Sequence, residues 1–164
     1  MGFRIVVSDP IHPSGIELLR SQPDVDQVAR PDGGNLPELL ADADALIVRS
    51  ETKVTAGLLE NGRRLVVIGR AGVGVDNIDL AEATRRGIAV VNAPTGNIVA
   101  AAEHTIALMF AVARRIPQAF EALKRGEWRR GEFTGVELRN KTLGLIGLGR
   151  VGTEVARRAT GLQM

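Results

Sequence analysis

Residues 65–92 read LVVIGRAGVGVDNIDLAEATRRGIAVVN, and this stretch decides the fold. It begins with a β-branched apolar run and a glycine-rich turn, continues through a helical segment that starts near Asp79, and ends in a second apolar run at 88–92. Short apolar runs that alternate with helical segments are typical of buried parallel strands joined by right-handed crossovers. The stretch therefore predicts one β-α-β unit of an α/β domain.

The same alternation extends towards the amino terminus and predicts a parallel sheet. We expect Thr55 to begin a helix, and Asp79 to begin another in a capping box with Glu82. We expect Gly62 and Gly87 to end helices. The predicted strands, apolar on both faces as buried parallel strands are, read FRIVVS (3–8), VDQVA (25–29), ALIVRS (45–50), LVVIGR (65–70) and IAVVN (88–92). The predicted crossover helices read PSGIELLRS, LPELLADA, TAGLLEN and DLAEATRRG.

The pattern changes near Asn97, where we place a domain boundary between residues 1–97 and 98–164. A long helical stretch follows, and Pro117 is expected to break or kink it. Its apolar positions follow i, i+3, i+4, i+7 spacing: Ile106, Met109, Phe110 and Ala113. The next segment, GEWRRGEFTGVELRNK, is polar and rich in glycine, and it predicts a loop or arm.

The last segment carries a glycine motif that is typical of dinucleotide binding. Gly147, Gly149 and Gly152 fit the pattern G-x-G-x-x-G, with a predicted strand, Thr142–Ile146, before them and a predicted helix after them. The first glycine allows a tight turn, the second lets the backbone approach a pyrophosphate, and the third lets the helix pack on the strand. A turn from strand to helix without a ligand is the alternative interpretation.

A second glycine-rich stretch, residues 70–77, follows the strand LVVIG and indicates an anion site. The carboxyl ends of parallel strands are where open α/β sheets bind ligands, and backbone N–H groups there hold anions. Arg70 stands at the start of this turn, and Arg49 with Ser50 ends another strand at the same edge. Two arginines at one edge favour an anionic ligand over the alternative, in which both arginines are solvated and the glycines only form a turn.

Composition excludes several classes of site and protein. The chain of 164 residues has no cysteine, which excludes disulfides, thiolate catalysis and cysteine-based metal sites. Its two histidines, His12 and His104, lie too far apart in sequence to suggest a metal site. No run approaches the 18 or so apolar residues of a membrane span, and the first residues do not resemble a signal peptide. We expect a soluble, cytoplasmic protein with no membrane partner.

The charge is unevenly distributed along the chain. Residues 1–112 carry 10 basic and 14 acidic side chains, whereas residues 113–164 carry 11 basic and 5 acidic ones. A basic tail is one signature of nucleic-acid binding. Aromatic residues make up only 3% of the chain, and the basic residues stand at helical spacings or beside the expected phosphate site. We therefore expect no nucleic-acid partner.

Four separated motifs together give the chain a family resemblance: LIVRSETKVT, VVIGRAGVGVDNIDLAEATRRGIAVVNAPTGN, AAAEHTIALM and KTLGLIGLGRVGTEVARR. They resemble the D-isomer-specific 2-hydroxyacid dehydrogenases, and the resemblance runs from Phe3 to Met164. It implies an α/β fold, with a parallel-sheet, flavodoxin-like substrate domain followed by the first βα unit of a Rossmann nucleotide-binding domain. It also implies NAD as cofactor, a small anionic 2-hydroxy acid as substrate in a cleft between the domains, and a homo-oligomer, expected to be a dimer formed through the nucleotide domain.

The resemblance also assigns roles to individual residues. The side chains implied to face the substrate are Arg49, Ser50 and Arg70, and the residues implied to offer backbone groups to its carboxylate are Gly72 and Val73. Those implied to lie near the nicotinamide are Val73 and Thr105, and those implied to bind the pyrophosphate are Gly147, Gly149, Arg150, Val151 and Gly152. The sequence Arg49-Ser50 followed by Thr52-Lys53 favours the phosphoglycerate branch of the family over its glyoxylate or formate branches.

The resemblance further implies a catalytic arginine, a histidine and its carboxylate partner, none of which can be assigned within these 164 residues. We expect them downstream of Met164, so the chain by itself is expected to be inactive. His104 is interpreted as a partly buried structural residue, and His12 has no assigned role. The acidic residue that would bind the adenosine ribose is not present either, which leaves NAD and NADP both possible. Alternatives are a glyoxylate or hydroxypyruvate reductase and a non-catalytic dinucleotide-sensing module.

Overall fold

The computed structural model describes residues 2–31 and 34–164. The chain divides into two compact units, Met1–Gly96 and Asn97–Met164. The first unit contains a parallel sheet with its crossover helices, and the second contains three α-helices and one short 3-10 helix. Each unit is described separately below.

The first unit is an α/β fold, as predicted. Its sheet has five parallel strands in the order β2-β1-β3-β4-β5, which is the order of a flavodoxin-like sheet. The strands are β1 (Phe3–Val7), β2 (Val25–Ala29), β3 (Ala45–Val48), β4 (Val67–Arg70) and β5 (Ala89–Asn92). The helices are α1 (Pro13–Arg20), α2 (Leu36–Leu40), α3 (Ala56–Leu59) and α4 (Leu80–Arg85).

The core lies on both faces of the three central strands. Side chains of a strand alternate between faces, so Val6 packs in one hydrophobic cluster while Ile5 and Val7 pack in another. The larger cluster joins strands β1, β3 and β4 to α2, α3 and α4, and it includes Leu46 and Ile68, which are both fully buried. Each such side chain contributes about 1.5–3 kcal/mol on burial.

The two edge strands are more exposed than the sequence predicted. In β2, Asp26 and Gln27 are exposed, and in β5 the side chain of Val91 is 53% exposed. The prediction that every strand is apolar and buried on both faces is therefore wrong for β2 and β5. A strand at the edge of a sheet has only one paired neighbour, and charged residues there oppose pairing with another chain.

The helix ends follow the predicted capping residues with one exception. The Thr55 hydroxyl accepts the N–H of Leu58, and the Asp79 carboxylate accepts the N–H of Glu82 at 3.0 Å. Glu82 does not complete the capping box, because its carboxylate pairs with two arginines, Arg85 and then Arg86, whose hydrogen bonds lower its pKa to about 2. Of the two predicted terminating glycines, Gly87 has a positive φ of 72° and Gly62 does not.

The amino-terminal edge of the sheet is held together by Asp44, which is only 8% exposed. Its carboxylate accepts the N–H of Arg4 at 2.9 Å and the Arg64 guanidinium at 2.8 Å. The Arg4 backbone bond, together with Arg64, holds the pKa of Asp44 below its ordinary value of 3.8. Asp44 therefore links the start of β3 to residues at the starts of β1 and β4.

The second unit contains α5 (Ile98–Ala113), α6 (Ile116–Lys124), a 3-10 helix (Arg130–Phe133) and α7 (Arg150–Gly161). The predicted break occurs at Arg115, whose φ is 50°, and Pro117 lies in the first turn of α6. Helix α5 packs against α7. The predicted stripe of α5 is its less exposed side: Ile106, Met109, Phe110 and Ala113 are intermediate in burial. None of the helices in the described chain is long and apolar enough to cross a membrane.

The predicted strand Thr142–Ile146 does not form. No strand of the described chain pairs with these residues, and Ile146 is fully exposed. A β-strand depends on hydrogen bonds from a neighbouring strand, whereas a helix forms its bonds within one segment, and α7 does form. The helix of the predicted βα unit is thus confirmed, and its strand is not.

Asp44 is expected to make stability depend on pH. Because its pKa is lowered in the folded state, its contribution is full above 3.8 and is lost as the pH falls below that value. Asp44→Asn should destabilise the chain by about 1–3 kcal/mol at pH 7. The difference in free energy of unfolding between this variant and the wild type should become smaller below pH 3.8. Urea unfolding between pH 2.5 and 7 would check this, and a gap that does not change with pH would contradict it.

Candidate functional site

The arginines predicted to bind an anion lie at the carboxyl-terminal edge of the sheet. Arg70 ends β4, and it is in register with Val48 at the end of β3 and with Asn92 at the end of β5. Arg49 follows Val48 directly. The structure therefore brings the ends of three adjacent strands to one edge, where the predicted substrate residues stand.

Arg70 has an unpaired guanidinium. Its side chain has no hydrogen-bond or ion-pair partner among the described residues, and its Nε atom is buried. A buried donor without a partner is rare in folded proteins, because each one costs about 1–3 kcal/mol. Arg70 is therefore suited to bind an anionic group, to which a guanidinium donates strong, charge-assisted hydrogen bonds.

Gly72 makes room for the Arg70 side chain. A Cβ atom on Gly72 would lie 1.4 Å from the Arg70 Nη1, so the guanidinium occupies the space that any other residue would fill. Gly72 is buried, and it is not one of the described glycines with positive φ. Glycine is therefore required at this position because it has no side chain, and not because of a special backbone angle.

The backbone groups of the glycine turn are only partly available. The N–H of Gly72 donates to the Arg70 carbonyl at 2.8 Å, so it does not point to a ligand as the resemblance implied. The N–H of Val73 has no acceptor among the described residues, whereas the carbonyl of Val73 accepts the Asn92 side chain at 2.6 Å. Of the two predicted backbone donors, the structure leaves Val73 open.

The Arg49 and Ser50 side chains are exposed on the loop that follows β3. The Arg49 Nη1 donates to the Pro10 carbonyl at 3.3 Å. Ser50 lines an open groove of about 620 Å³ whose other residues are Lys53, Val54, Thr55, Asp76, Asn77, Ile78 and Asp79. This groove lies in the first unit, beside the predicted substrate residues.

Two residues that the sequence did not single out organise this edge. Asp9, in the loop after β1, is only 3% exposed and accepts hydrogen bonds from the loop after β3. Asn77 donates through Nδ2 to the carbonyls of Arg49 and Thr52, and its Oδ1 is buried without a partner. The sequence feature that could have identified Asp9 is its position as a polar residue after a strand, but many solvated loop residues have the same position.

Asp9 is charged in the folded state. Burial raises its pKa, but hydrogen bonds from the Thr52 side chain and from the backbone N–H groups of Arg49, Thr52 and Glu51 outweigh this effect and lower it. The Arg49 N–H lies 2.5 Å from Oδ2, and the Thr52 hydroxyl donates to Oδ1. The carboxylate is therefore satisfied by its own chain.

The first two glycines of the predicted turn in the second unit have the geometry that the sequence indicated, and the third does not. Gly147 has a φ of 92°, which favours glycine. At Gly149, which caps α7 with a φ of −75°, a Cβ atom would meet no atom within 4 Å. At Gly152 a Cβ atom would lie 2.3 Å from the Gly147 carbonyl, so the third glycine packs α7 on the turn and not on a strand as predicted.

Helix α7 begins directly after Gly149 of the glycine turn. No side chain caps this helix, and Arg150 at its first position is exposed, with Val151 half-buried beside it. The first N–H groups of a helix have no partner within the helix and carry partial positive charge, which suits an anion such as a pyrophosphate. Gly149, Arg150 and Val151 lie at this helix start, and the pyrophosphate contacts that the resemblance implies for them stay predictions.

The remaining predicted residues lie elsewhere. The Thr105 hydroxyl donates to the Ala101 carbonyl at 2.8 Å within α5. His104 is exposed, so the prediction that it is partly buried is wrong, since its position falls on the outward side of α5. His12 caps α1 by accepting the Ser14 N–H. The described residues contain no group of three or more acidic, histidine or cysteine side chains that could hold a metal ion.

The chain matches a known protein family over almost its whole length. A family model described as D-isomer specific 2-hydroxyacid dehydrogenase, catalytic domain, matches residues 5–161. The D-3-phosphoglycerate dehydrogenase of Methanocaldococcus jannaschii is 51% identical over 161 residues, which are 98% of this chain and 31% of the relative. The chain therefore spans about a third of the length of that relative.

Solved structures show the same fold. A protein of Thermus thermophilus superposes with a TM-score of 0.89 at 32% identity, covering 98% of this chain and 54% of that one. The D-lactate dehydrogenase of Aquifex aeolicus, solved with NAD and lactic acid, has a TM-score of 0.82 at 27% identity, covering 98% of this chain and 49% of the other.

Gly72→Ala is expected to displace Arg70 with little effect on folding. The new methyl group would overlap the guanidinium, whose flexible side chain moves more easily than backbone. Anion binding should weaken by about tenfold, equal to about 1.4 kcal/mol, as measured by calorimetry. Gly57→Ala is the control, because a Cβ atom there meets nothing within 4 Å. Equal anion binding in both variants would show that Gly72 does not position Arg70.

Proposed function

The chain belongs to the D-isomer specific 2-hydroxyacid dehydrogenases, and we propose that it forms the substrate-binding unit and part of the nucleotide-binding unit of an NAD-dependent enzyme that oxidises 3-phosphoglycerate. The product would be 3-phosphohydroxypyruvate, a precursor in serine biosynthesis. The observation that carries this proposal is the unpaired Arg70 guanidinium at the carboxyl edge of the sheet. The 51% identity to a D-3-phosphoglycerate dehydrogenase supports the choice of substrate.

The first unit is suited to hold a small anion by several groups. Arg70 offers guanidinium donors that nothing in the described chain uses, and Val73 offers a backbone N–H. Arg49 and Ser50 add a second positive charge and a hydroxyl on the adjacent loop. A substrate with a carboxylate and a phosphate would use two positive groups, whereas glyoxylate or lactate carries a carboxylate alone. The proposal therefore assigns substrate binding to Arg49, Ser50, Arg70 and Val73.

The glycine turn of the second unit fits a dinucleotide. The open space beside Gly149 lets a pyrophosphate approach the backbone, and no side-chain cap of Gly149 competes for the amides at the start of α7. When bound, NAD supplies the chemistry by accepting a hydride from the substrate. In this proposal Gly147, Gly149, Arg150, Val151 and Gly152 hold the pyrophosphate. Thr105 beside the nicotinamide, a dimer formed through this unit and a cytoplasmic location stay predictions.

The first test measures substrate binding without requiring turnover. Arg70→Met keeps an unbranched side chain but removes its charge and its donors, and it should weaken 3-phosphoglycerate binding by about 10-fold to 100-fold, since charged hydrogen bonds contribute about 1.5–3 kcal/mol each. Arg63→Met is the matched control, because Arg63 is exposed just before the other end of the same strand. Calorimetry with the purified chain gives both affinities.

Ligand specificity decides between the branches of the family. 3-Phosphoglycerate should bind more tightly than glycerate, which lacks the phosphate, and more tightly than glyoxylate. Tighter binding of glyoxylate would instead support a glyoxylate or hydroxypyruvate reductase. Equal binding by wild type, Arg70→Met and Arg63→Met would contradict the assignment of this edge as the substrate site.

The second test concerns the nucleotide. Gly149→Val should lower NAD affinity by about tenfold or more, because its side chain would fill the open space beside the turn. The fold should tolerate valine, since the φ of −75° and ψ of −163° at Gly149 are allowed to any residue. Gly131→Val is the control, with open space but no place in the turn. NAD titration, with thermal melting to verify folding, measures the effect, and unchanged NAD affinity would refute the turn as the pyrophosphate site.

A further inference from the structure

Asp9 is a buried charge that the proposed function does not use. Among the described residues, the buried side chains that are polar or charged are Asp9 and Asp44, which are 3% and 8% exposed. Asp44 lies at the amino-terminal edge of the sheet, where it stabilises the fold. Asp9 lies in the loop after β1, at the opposite edge.

The position of Asp9 is where an open α/β sheet of this type binds ligands. The strand order β2-β1-β3-β4-β5 reverses direction between β1 and β3, and loops on either side of such a reversal leave a crevice at the carboxyl edge. Asp9 follows β1, and Arg49 to Thr52 follow β3. The loop after β3 therefore borders the crevice, and backbone N–H groups of such a loop can hold an anion.

In this structure the anion is the carboxylate of Asp9. Its Oδ2 accepts the Arg49 N–H at 2.5 Å, and its Oδ1 and Oδ2 lie 3.1 and 3.2 Å from the Thr52 N. The Thr52 hydroxyl also donates to Oδ1 and lies 2.9 Å from the Ser8 hydroxyl. The N–H groups of Arg49 and Thr52 are therefore already occupied by a carboxylate of the chain itself.

The Asn77 side chain binds the carbonyl groups of Arg49 and Thr52, the two residues whose N–H groups bind Asp9. Its Nδ2 donates to the Arg49 carbonyl at 2.8 Å and to the Thr52 carbonyl at 2.7 Å. Arg49 and Thr52 are thus bound through their N–H groups by Asp9 and through their carbonyls by Asn77. The backbone of the loop is fixed from both sides, while the Arg49 and Ser50 side chains remain exposed.

We infer that Asp9 and Asn77 are positioning residues, which fix the backbone of residues 49–52 so that Arg49 and Ser50 are directed to the substrate anion. The inference rests on the proposed function for the role of these two side chains. Asp9 acts as an internal anion at the switch point of the sheet. In the loop after β3 the substrate therefore binds to the Arg49 and Ser50 side chains and not to the Arg49 and Thr52 amides, which Asp9 occupies.

The test compares chemically equal changes at the two edges of the sheet. Asp9→Asn replaces one acceptor oxygen by an NH₂ group, which faces N–H donors and cannot accept from them. The Arg49 and Thr52 amides should lose protection from hydrogen exchange, and the Arg49 amide ¹H resonance should move upfield. Calorimetry should show 3-phosphoglycerate binding weakened by about 10-fold to 100-fold. Asp44→Asn should also lower the melting temperature, yet leave affinity within about twofold.

A second matched pair tests Asn77. Asn77→Asp would place a carboxylate against two carbonyl oxygens, and affinity should fall by about tenfold or more. Asn61 is the control, since its Nδ2 also donates to two carbonyls, those of Gly57 and Leu58 at 3.1 and 3.2 Å, but at the end of α3. Asn61→Asp should change stability and not 3-phosphoglycerate binding.

Conservative variants at Thr52 provide a rescue experiment that does not depend on the folding of Asp9→Asn. Thr52→Ser keeps the hydroxyl that donates to Asp9 and should bind 3-phosphoglycerate within about twofold of the wild type. Thr52→Val keeps the shape but loses the hydroxyl, and it should bind more weakly by about tenfold or more, because a hydrogen bond to a charged group contributes about 1.5 kcal/mol or more.

The possible outcomes separate this inference from the proposed function. If Asp44→Asn weakens 3-phosphoglycerate binding as much as Asp9→Asn does, Asp9 has only a general stabilising role and the inference is overturned. Equal affinities of Thr52→Ser and Thr52→Val for 3-phosphoglycerate would also overturn it. If the wild-type chain does not bind 3-phosphoglycerate at all, the proposed function fails. In that case the amide resonances still decide whether Asp9 fixes the loop, and unchanged protection of Arg49 and Thr52 in Asp9→Asn would overturn that part too.

Discussion

The parallel pairing of β1, β3 and β4 is the constraint on which the first unit depends. These strands bury side chains on both faces, with Val7, Leu46, Val48 and Ile68 almost inaccessible to solvent. Because the strands are parallel, every connection returns by a crossover helix and every strand ends at the same edge. Arg49 and Arg70 are neighbours for that reason, although 20 residues separate them in sequence.

The strands and their ends could be predicted because they follow from local rules. A short β-branched run between turn residues indicates a buried strand, and a basic residue directly after such a run indicates the binding edge. These rules located Arg49, Arg70 and the glycine turn at Gly147–Gly152. They also located the helix starts at Thr55 and Asp79, whose capping depends on atoms two or three residues away.

The features that sequence did not reveal all depend on contacts between distant segments. Asp9 contacts Arg49 across 40 residues, and the Arg70 side chain occupies the space beside Gly72 in a rotamer that no sequence pattern specifies. The strand predicted at Thr142–Ile146 has the right composition, but strand formation depends on a partner, and none of the described residues provides one. The burial of His104 was predicted wrongly because a single position in a largely apolar helix does not determine which side of the helix is covered.

The separation of the two buried carboxylates has a consequence for how this fold accommodates change. Asp44 and the residues that donate hydrogen bonds to Asp9 stand at opposite ends of β3, whose four residues span roughly 13 Å at about 3.3 Å per residue. Effects of substitutions more than about 7–10 Å apart are usually additive. Evolution could therefore change the loops at one end of the sheet to bind a new ligand while the residues at the other end maintained thermodynamic stability. Ligand binding and stability are thus determined in different parts of one small domain.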